Sequence, residues 1–248
     1  MVGPEIYLVS GYYNHPSRDI WILDFRSGKL HQGPSMRVAR RFTAVGLVDQ
    51  KIYAFGGYEV EYEEIKADVF DTKTQTWEVT EVGPVFNLER SCLWMSVVSP
   101  SLDRKVYVRK SAHVIVYDPR DGNCEKIDIP NDYSFNYDVC VIDNMLYIYR
   151  SYVGLMWYDS KKKYWRLVKG LKLDEYSAFD IRMGEYNGKL VFLRNPSSLE
   201  EDKKREVWCA MIALDRNGVE ITGNVEWSVR VLSVPCDYMI MHFFGRTD

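Results

Sequence analysis

The chain has 248 residues, 46% of them hydrophobic and 14% aromatic, which is enough to build a sizeable apolar core. Its net charge is −3, from 32 basic and 35 acidic residues, so it lacks the basic excess that proteins use to hold a phosphate backbone. No stretch of the sequence approaches the ~18 uncharged apolar residues that a membrane span needs. We therefore expect neither nucleic acid nor a membrane among its partners.

The five cysteines and four histidines are dispersed and do not reach the spacing of a metal site. No Cys-x-x-Cys pair occurs, although this pair is common in zinc sites. The cysteines are best interpreted as reduced thiols that pack as small hydrophobes. The first residues also lack the basic segment and apolar run of a signal peptide. These features predict no metal, no other cofactor, and a cytoplasmic or nuclear location.

A spaced motif recurs five times, in which an apolar residue precedes an Asp and a large apolar or sulfur-bearing residue follows that Asp by six positions. The aspartates are 47, 47, 41 and 56 positions apart, at Asp24, Asp71, Asp118, Asp159 and Asp215. In two units the later residue is a tryptophan, Trp77 or Trp165. Self-similarity with a period of ~40–50 residues is typical of propellers and solenoids. Each repeat is therefore expected to form one structural unit.

The segment from Met36 to Gly83 is the best-formed unit and predicts four short strands. A two-residue turn separates the first two strands, Gly56-Gly57 and an acidic loop separate the second from the third, and a four-residue turn precedes the fourth. The predicted strands are residues 42–48, 51–55, 67–71 and 76–80. The two glycines permit backbone conformations that a side chain would forbid. Four antiparallel strands in a meander are the unit of a propeller blade.

The recurring Asp has a predicted role in the turn between the third and fourth strands. A carboxylate at the end of a strand can accept hydrogen bonds from backbone N–H groups two residues further on and fix the turn. The residue six positions later, such as Trp77, then lies on the outer strand, where it can cover the junction with a neighbouring blade. We expect this arrangement in all five units.

Gly56-Gly57, Phe70-Asp71 and Trp77 together resemble the kelch repeat, which combines a double glycine, an aromatic residue and a tryptophan after a short turn. Residues 34–77 are similar to the kelch half of plant F-box/kelch-repeat proteins, and residues 207–227 resemble the closing unit of that family. The resemblance covers nearly the whole chain. It implies an all-β fold, a kelch-type β-propeller of four-stranded antiparallel blades, with about five repeat units visible and the first blade incomplete at the N-terminus.

We expect a single propeller domain over residues 1–248. Its units are predicted at residues 5–34, 35–84, 86–130, 133–173 and 177–234. The last segment, residues 236–248, is expected to return as a closing strand beside the first unit. The F-box of the family is a helical module that docks on the Skp1 adaptor, and none is recognisable before Ile6. Skp1 is therefore an expected partner only if an F-box exists upstream of this chain.

The resemblance implies a protein-interaction propeller, the substrate-recognition region of an SCF-type E3 ubiquitin ligase subunit. The alternative is a kelch-only scaffold or a truncated binding protein with no connection to a ligase. An enzyme like galactose oxidase, which also has a kelch propeller, needs two His, a Tyr cross-linked to a Cys and a second Tyr around one metal. The histidines of this chain occupy unrelated repeat positions. We therefore predict no catalytic residue and a protein as the partner.

Partner binding is expected at the loops that join strands two and three and at the connections between blades, because insertions there do not disturb the core. The longest such loops are residues 56–66 and 195–206, and both are rich in charge. The candidate contact residues are Arg37, Arg40, Arg41, Tyr58, Tyr62 and Arg90. Arginine and tyrosine are common at binding hot spots. The alternative is that the arginines make structural hydrogen bonds between blades and that the loop charges are only solvated.

Overall fold

The computed structural model describes residues 2–9, 15–40, 43–56, 66–81, 98–99, 101–110, 113–130, 137–173, 178–196, 204–235, 238 and 240. All regular elements in these ranges are β-strands. The chain divides into two compact units, Met1–Ile129 and Pro130–Asp248. Within the same ranges, no helix has the length and apolar character needed to cross a bilayer.

The first unit contains three sheets, here called blades 1 to 3. Blade 1 consists of β1 (Glu5–Val9), β2 (Ile20–Asp24) and β3 (Lys29–Gln32). Blade 2 consists of β4 (Ala44–Val48), β5 (Lys51–Phe55), β6 (Lys66–Asp71) and β7 (Thr76–Glu81), and β8 (Val98–Ser99) pairs in parallel with β4. Blade 3 consists of β9 (Ser101–Leu102), β10 (Lys105–Lys110), β11 (His113–Tyr117) and β12 (Cys124–Asp128).

The second unit contains two sheets, blades 4 and 5. Blade 4 consists of β13 (Tyr137–Ile142), β14 (Met145–Arg150), β15 (Gly154–Asp159) and β16 (Tyr164–Leu167). Blade 5 consists of β17 (Ala178–Tyr186), β18 (Lys189–Pro196), β19 (Arg205–Asn217) and β20 (Glu220–Val234). In both blades the strands pair antiparallel and in chain order.

Five antiparallel meanders in succession give the chain the all-β, kelch-type β-propeller fold that the sequence predicts, and this prediction is confirmed. The single domain over residues 1–248 stays a prediction. The predicted closing strand, residues 236–248, lies outside the described residues except for Tyr238 and Ile240. Ile240 packs in a buried cluster with Val207 and Val234 of blade 5.

Apolar clusters fill the space between neighbouring blades within each unit. Blades 2 and 3 share a cluster that contains Phe55 and Tyr117, whose ring centroids are 5.2 Å apart. Blades 4 and 5 share a larger one, in which the rings of Tyr149 and Phe192 are 4.9 Å apart. These side chains are buried against the adjacent blade rather than within one blade. The stability of each of these blades therefore depends on its neighbour.

The constant spacing of six residues between the recurring Asp and the later apolar residue has a structural basis, which is a cross-strand pair. In blades 1 to 4 the apolar residue before the Asp lies opposite the residue six positions after it. The pairs are Leu23 with Leu30, Phe70 with Trp77, Tyr117 with Cys124, and Tyr158 with Trp165. The residue four positions after the Asp has a positive φ in all four turns, at Gly28, Gln75, Gly122 and Lys163. A four-residue turn closed by one left-handed residue therefore fixes the register of the last two strands.

The carboxylates occupy these turns in the predicted way in three blades. Asp24, Asp71 and Asp118 each accept a hydrogen bond from the backbone N–H two residues further on. The donors are Arg26, Lys73 and Arg120, at 2.9, 2.8 and 3.0 Å. In blade 4, Asp159 instead accepts from the N–H three residues on, that of Lys162, at 3.1 Å.

Blade 5 departs from the prediction. Asp215 lies inside β19 opposite Thr222, and the chain reverses later, at Gly218 and Val219. The residue six positions after this Asp, Ile221, pairs with Arg216. The hairpin of β19 and β20 is thus extended beyond the point where the other blades turn. The prediction that Asp215 fixes a turn is wrong, because the strand continues through that position.

Trp77 lies at the junction of blades 1 and 2. Its ring centroid is 4.9 Å from that of Phe70, and it packs on a buried cluster that includes Ile20 of blade 1. Its indole N–H donates to the carbonyl of Pro34, in the connection between the two blades, at 2.6 Å. Trp165 of blade 4 is buried, with its ring 5.2 Å from that of Tyr158.

Candidate partner-binding face

Each blade has two ends with different connections. At one end, called the turn face, lie the turns after the recurring Asp and the two-residue turns between the first and second strands. Both residues of these two-residue turns have positive φ, as in a type I′ hairpin, at Asp49-Gln50, Asp103-Arg104, Asp143-Asn144 and Asn187-Gly188. The opposite end, called the loop face, carries the connections between the second and third strands and those between blades. Their lengths differ from blade to blade, so variation is concentrated on the loop face.

Arg40 is buried beneath the loop face of the first unit, with a relative exposure of 1%. Its Nε donates to Oδ2 of Asp68 at 2.9 Å, and its Nη1 donates to the carbonyl of Gly56. Its backbone N–H and C=O both pair with Ser17, ahead of β2. The prediction that Arg40 contacts a partner is wrong, because no part of its guanidinium reaches the surface. It takes the alternative role, that of a structural link between blades 1 and 2.

Gly56 ends the second strand of blade 2 with a φ of +67° and supplies the carbonyl that Arg40 binds. A side chain in this left-handed conformation would be strained, which explains the first glycine of the motif. The acidic loop that follows begins at Gly57, which lies outside the described residues. The buried pair of Arg40 and Asp68 therefore fixes both the start of this loop and the strand to which it returns.

The other predicted contact residues are mostly outside the described ranges. Arg41, Tyr58, Tyr62 and Arg90 belong to this group. Arg37 is exposed in the connection between blades 1 and 2, and its carbonyl accepts a hydrogen bond from the guanidinium of Arg18. Of the six candidates, Arg37 is the one that the structure places at the surface, and its contact with a partner stays a prediction.

Buried polar groups also support the loop face of the second unit. Asp138, at the start of β13, accepts the backbone N–H of Met183 in β17 at 2.6 Å and so joins blades 4 and 5. The hydroxyl of Tyr149 donates to the carbonyl of Leu173 at 2.8 Å. Both side chains are buried, where a satisfied hydrogen bond is costly to lose. These contacts hold the strand ends in fixed positions.

The connection between β14 and β15 is a tight turn at residues 151–153. The N–H of Val153 donates to the carbonyl of Arg150 at 3.2 Å and closes the turn. Tyr152 has a φ of +65° and its side chain is 73% exposed, the largest value among the large hydrophobic residues of the described ranges. Sequence reasoning missed this residue. Its signal was Arg150-Ser151 in place of the double glycine.

The loop face of blade 5 carries a strip of aromatic and charged side chains across three strands. The guanidinium of Arg194 lies 5.4 Å from the ring centroid of Trp208, and Arg230 lies opposite Trp208 on β20. Arg230 pairs with Glu206 at 2.6 Å. Beside this strip, Asn195 is fully buried, and within the described part of the chain neither polar atom of its amide has a hydrogen-bond partner. The exposed members of the strip have the chemistry of a polar interface rim.

A shallow cavity of about 300 Å³ lies between blades 4 and 5, away from the loop face. It is lined by Trp157, Tyr164, Arg166, Leu167, Lys169 and Glu220. The guanidinium of Arg166 stacks 5.5 Å from the ring centroid of Trp157, and Lys169 pairs with Glu220 at 2.6 Å. Its charged groups therefore already pair with one another or with an aromatic ring, so it is a weaker candidate for a binding site than the loop face.

The shifted pKa values of the turn face have structural causes. The hydrogen bond from Ser27 lowers the pKa of Asp24, and the backbone N–H of Lys73 lowers that of Asp71. Hydrogen bonds from Arg120 hold the pKa of Asp118 far below its ordinary value. Each carboxylate is thus kept in its charged form chiefly by hydrogen bonds from its own turn.

The described residues contain no cluster of three or more His, Cys, Asp or Glu side chains that could hold a metal ion. Cys124, Cys140 and Cys209 are free thiols, and burial raises the pKa of Cys140 well above its ordinary value. A buried thiol of raised pKa is a poor nucleophile and packs as an apolar group.

The fold and the loop face together define a kelch-type propeller, a scaffold that presents variable loops for protein interaction. A family model described as "FKB95, Kelch-repeats domain" matches residues 1–232. The chain therefore belongs to the kelch-repeat family of F-box/kelch-repeat proteins, as its sequence motifs indicated.

Three relatives from Arabidopsis thaliana have F-box/kelch-repeat protein in their names. Their sequences are 50%, 43% and 46% identical to the chain over 255, 242 and 244 residues. The matches cover 100%, 97% and 97% of the chain, and 68%, 64% and 63% of the relatives. The chain thus spans about two thirds of the length of these relatives.

Proposed function

We propose that this chain is the substrate-recognition propeller of an SCF-type E3 ubiquitin ligase subunit. The observation that carries the proposal is the match of the chain, over almost its whole length, to the kelch part of relatives named F-box/kelch-repeat proteins. In this role the loop face binds a protein substrate, and contact with the Skp1 adaptor belongs to an F-box, which is a separate helical module. We propose a cytoplasmic or nuclear location, in keeping with the free thiols of the described residues.

The construction of the loop face supports a binding role. Buried side chains such as Arg40 and Asp138 fix the strand ends, while the connections between those ends vary in length and charge. Rigid support beneath variable loops lowers the entropy that a binding surface loses on association. We propose that the chain has no catalytic activity of its own and acts by selecting the protein to be modified.

The test separates a ligase subunit from a scaffold. Overexpression of the 248 residues alone in Arabidopsis tissue should saturate the substrate without delivering it to a ligase. Proteins that bind the chain directly as purified components should then have longer half-lives after a block of protein synthesis. A matched line that expresses an unrelated kelch propeller controls for the overexpression. Bound proteins whose half-lives do not change would show that the chain is a kelch-only scaffold.

A further inference from the structure

The turn between the last two strands of blade 4 carries three consecutive lysines. This turn, here called the lysine turn, follows Asp159 and consists of residues 160–163, Ser-Lys-Lys-Lys. All three lysine side chains are exposed. The equivalent four-residue turns of blades 1 to 3 each contain a single basic residue, and these residues are Arg26, Lys73 and Arg120. Among these four turns, blade 4 therefore has the highest concentration of positive charge.

The shape of the turn does not require these lysines. In the equivalent turns, glycine or glutamine occupies the left-handed fourth position, which in blade 4 is Lys163 with a φ of +56°. Lysine is not among the residue types that are enriched in this conformation. Three neighbouring like charges also repel one another. The lysines therefore indicate a role for their charge rather than for their backbone conformation.

The charge of the lysine turn is not neutralised within the part of the chain that the structure describes. Residues 160–170 contain five basic residues and no acidic one. Arg166 pairs with Asp159 at 3.5 Å, and Lys169 pairs with Glu220 at 2.6 Å. No acidic side chain of the described residues pairs with a lysine of the turn. Three positive charges therefore remain available to an anionic partner.

The lysine turn leads directly into residues that line the cavity between blades 4 and 5. Tyr164, the residue after the turn, lines this cavity of about 300 Å³, and so does Leu167. Tyr164 and Leu167 are 43% and 52% exposed, and the buried ring of Trp157 forms another wall. Small-molecule pockets have volumes of ~300–1,000 Å³, so this cavity suits one large side chain better than a whole cofactor.

We propose that the lysine turn and this cavity together bind an acidic segment of a partner protein, with one large apolar side chain of the segment inserted in the cavity. The charged groups that line the cavity are paired, so the attraction for carboxylates comes from the lysine turn. A short segment fits the four residues of this turn, whereas the whole chain has a net charge of −3 and repels a long polyanion. The site lies away from the loop face, so the proposal does not depend on the ligase role.

The first arm of the test measures the role of charge. The ligands are fluorescein-labelled peptides with Trp, Phe, Leu or Ser at the centre and four Glu residues on either side. The wild type should bind the peptides with Trp, Phe or Leu. The triple variant Lys161→Gln/Lys162→Gln/Lys163→Gln should weaken the tightest of these complexes by about 10-fold, since three exposed ion pairs are lost.

A second triple variant is the control for net charge. Arg26→Gln/Lys29→Gln/Lys73→Gln removes the same charge from exposed positions of blades 1 and 2. It should bind the peptides like the wild type. Thermal unfolding of both triple variants should give the Tm of the wild type within ~2 °C, because exposed substitutions change stability little. Equal losses of affinity in the two triple variants would overturn the proposal.

The second arm measures the role of the cavity. Leu167→Ser removes an apolar wall and should weaken the complex with the Trp peptide by about 5-fold, while binding of the Ser peptide stays unchanged. Leu30→Ser is the matched control, because Leu30 is 53% exposed on the outer strand of blade 1. It should bind both peptides like the wild type. Equal affinity of the wild type for the Trp and Ser peptides would contradict the proposal.

The third arm compares other anionic partners. A short DNA duplex and vesicles of phosphatidylserine are titrated with the wild type and with the lysine variant. Tighter binding to either of them than to any peptide, lost in the lysine variant, would reject a protein segment as the partner. A wild type that binds none of the peptides would also overturn the proposal. These titrations use purified components, so their outcome is independent of the half-life experiment that tests the ligase role.

Discussion

The side chain of Arg40 shows how one residue can be misassigned between surface and core. Three arginines stand at Arg37, Arg40 and Arg41, and their sequence context is the same basic stretch. Arg37 is exposed, whereas Arg40 is buried and bound to Asp68. A guanidinium offers five N–H donors, which makes it equally suited to a partner's carboxylate and to buried acceptors. The difference is decided by the position of Asp68, 28 residues later in the chain.

Removal of Arg40 should leave a buried carboxylate without its partner. Arg40→Ala is expected to lower the free energy of unfolding by ~3–5 kcal/mol, because Asp68 would stay buried with its charge uncompensated. The measurement is urea unfolding at neutral pH. The double variant Arg40→Met/Asp68→Leu should recover most of the loss, since it removes both charges and keeps apolar volume. Arg37→Ala is the control and should change the free energy by less than ~0.5 kcal/mol. Equal stability of Arg40→Ala and the wild type would refute the structural role.

At the scale of the element, the turn between the last two strands is the most regular part of the repeat. Its carboxylate, its left-handed fourth residue and its cross-strand pair recur together in blades 1 to 4. The three features depend on residues within seven positions of one another, so they form locally. Blade 5 shows the limit, since Asp215 has the same sequence spacing inside a strand that does not turn.

The turn carboxylates make stability depend on pH. The pKa of Asp71 is lowered from its ordinary value of 3.8, chiefly by the N–H of Lys73 and then by that of Thr74. A lowered pKa in the folded state adds stability above the unfolded value, and this stability is lost as the pH falls through the folded pKa. Asp71→Asn should therefore lower the urea midpoint at pH 7. Between pH 5 and pH 3, the midpoint of this variant should fall less than that of the wild type.

Asp215→Asn is the control for this prediction, because Asp215 belongs to a strand rather than to a turn. It should lower the urea midpoint at pH 7 less than Asp71→Asn does, because Asp215 does not close a turn. Equal effects of the two substitutions at every pH would mean that the turn hydrogen bonds do not contribute to the acid sensitivity of the protein.

On the scale of the whole molecule, the chain belongs to a family whose name joins two kinds of module. All regular elements of the described residues are strands, grouped in five blades. The relatives are about half as long again as the part that matches this chain. The 248 residues therefore represent the kelch part of the family, and a ligase role depends on a module that recruits Skp1.

The 248 residues alone should not bind Skp1, because Skp1 docks on a helical F-box and the described blades offer strands and loops. Size-exclusion chromatography of the purified chain with Skp1 should give two separate peaks. Fusion of the N-terminal F-box region of one of the relatives to the chain should produce a single co-eluting complex. Co-elution of Skp1 with the unfused chain would mean that the propeller itself contacts the adaptor.

The sequence by itself determined the repeat, the blade and the turn, because each depends on side chains close together in the chain. The double glycine at Gly56, the spacing from Phe70-Asp71 to Trp77, and the alternation of short apolar segments are local features of this kind. Together they specify a four-stranded meander, and its recurrence specifies a propeller.

Only the tertiary structure decided which polar residues are buried and which aromatic residues are exposed. The burial of Arg40 depends on Asp68 and on the blade that covers it. The exposure of Tyr152 depends on the buried anchors on either side of its turn, and the position of Asp215 within a strand depends on the extended hairpin of blade 5. Residue type and spacing leave these outcomes open, because exposure is set by elements that meet only after the blades have packed.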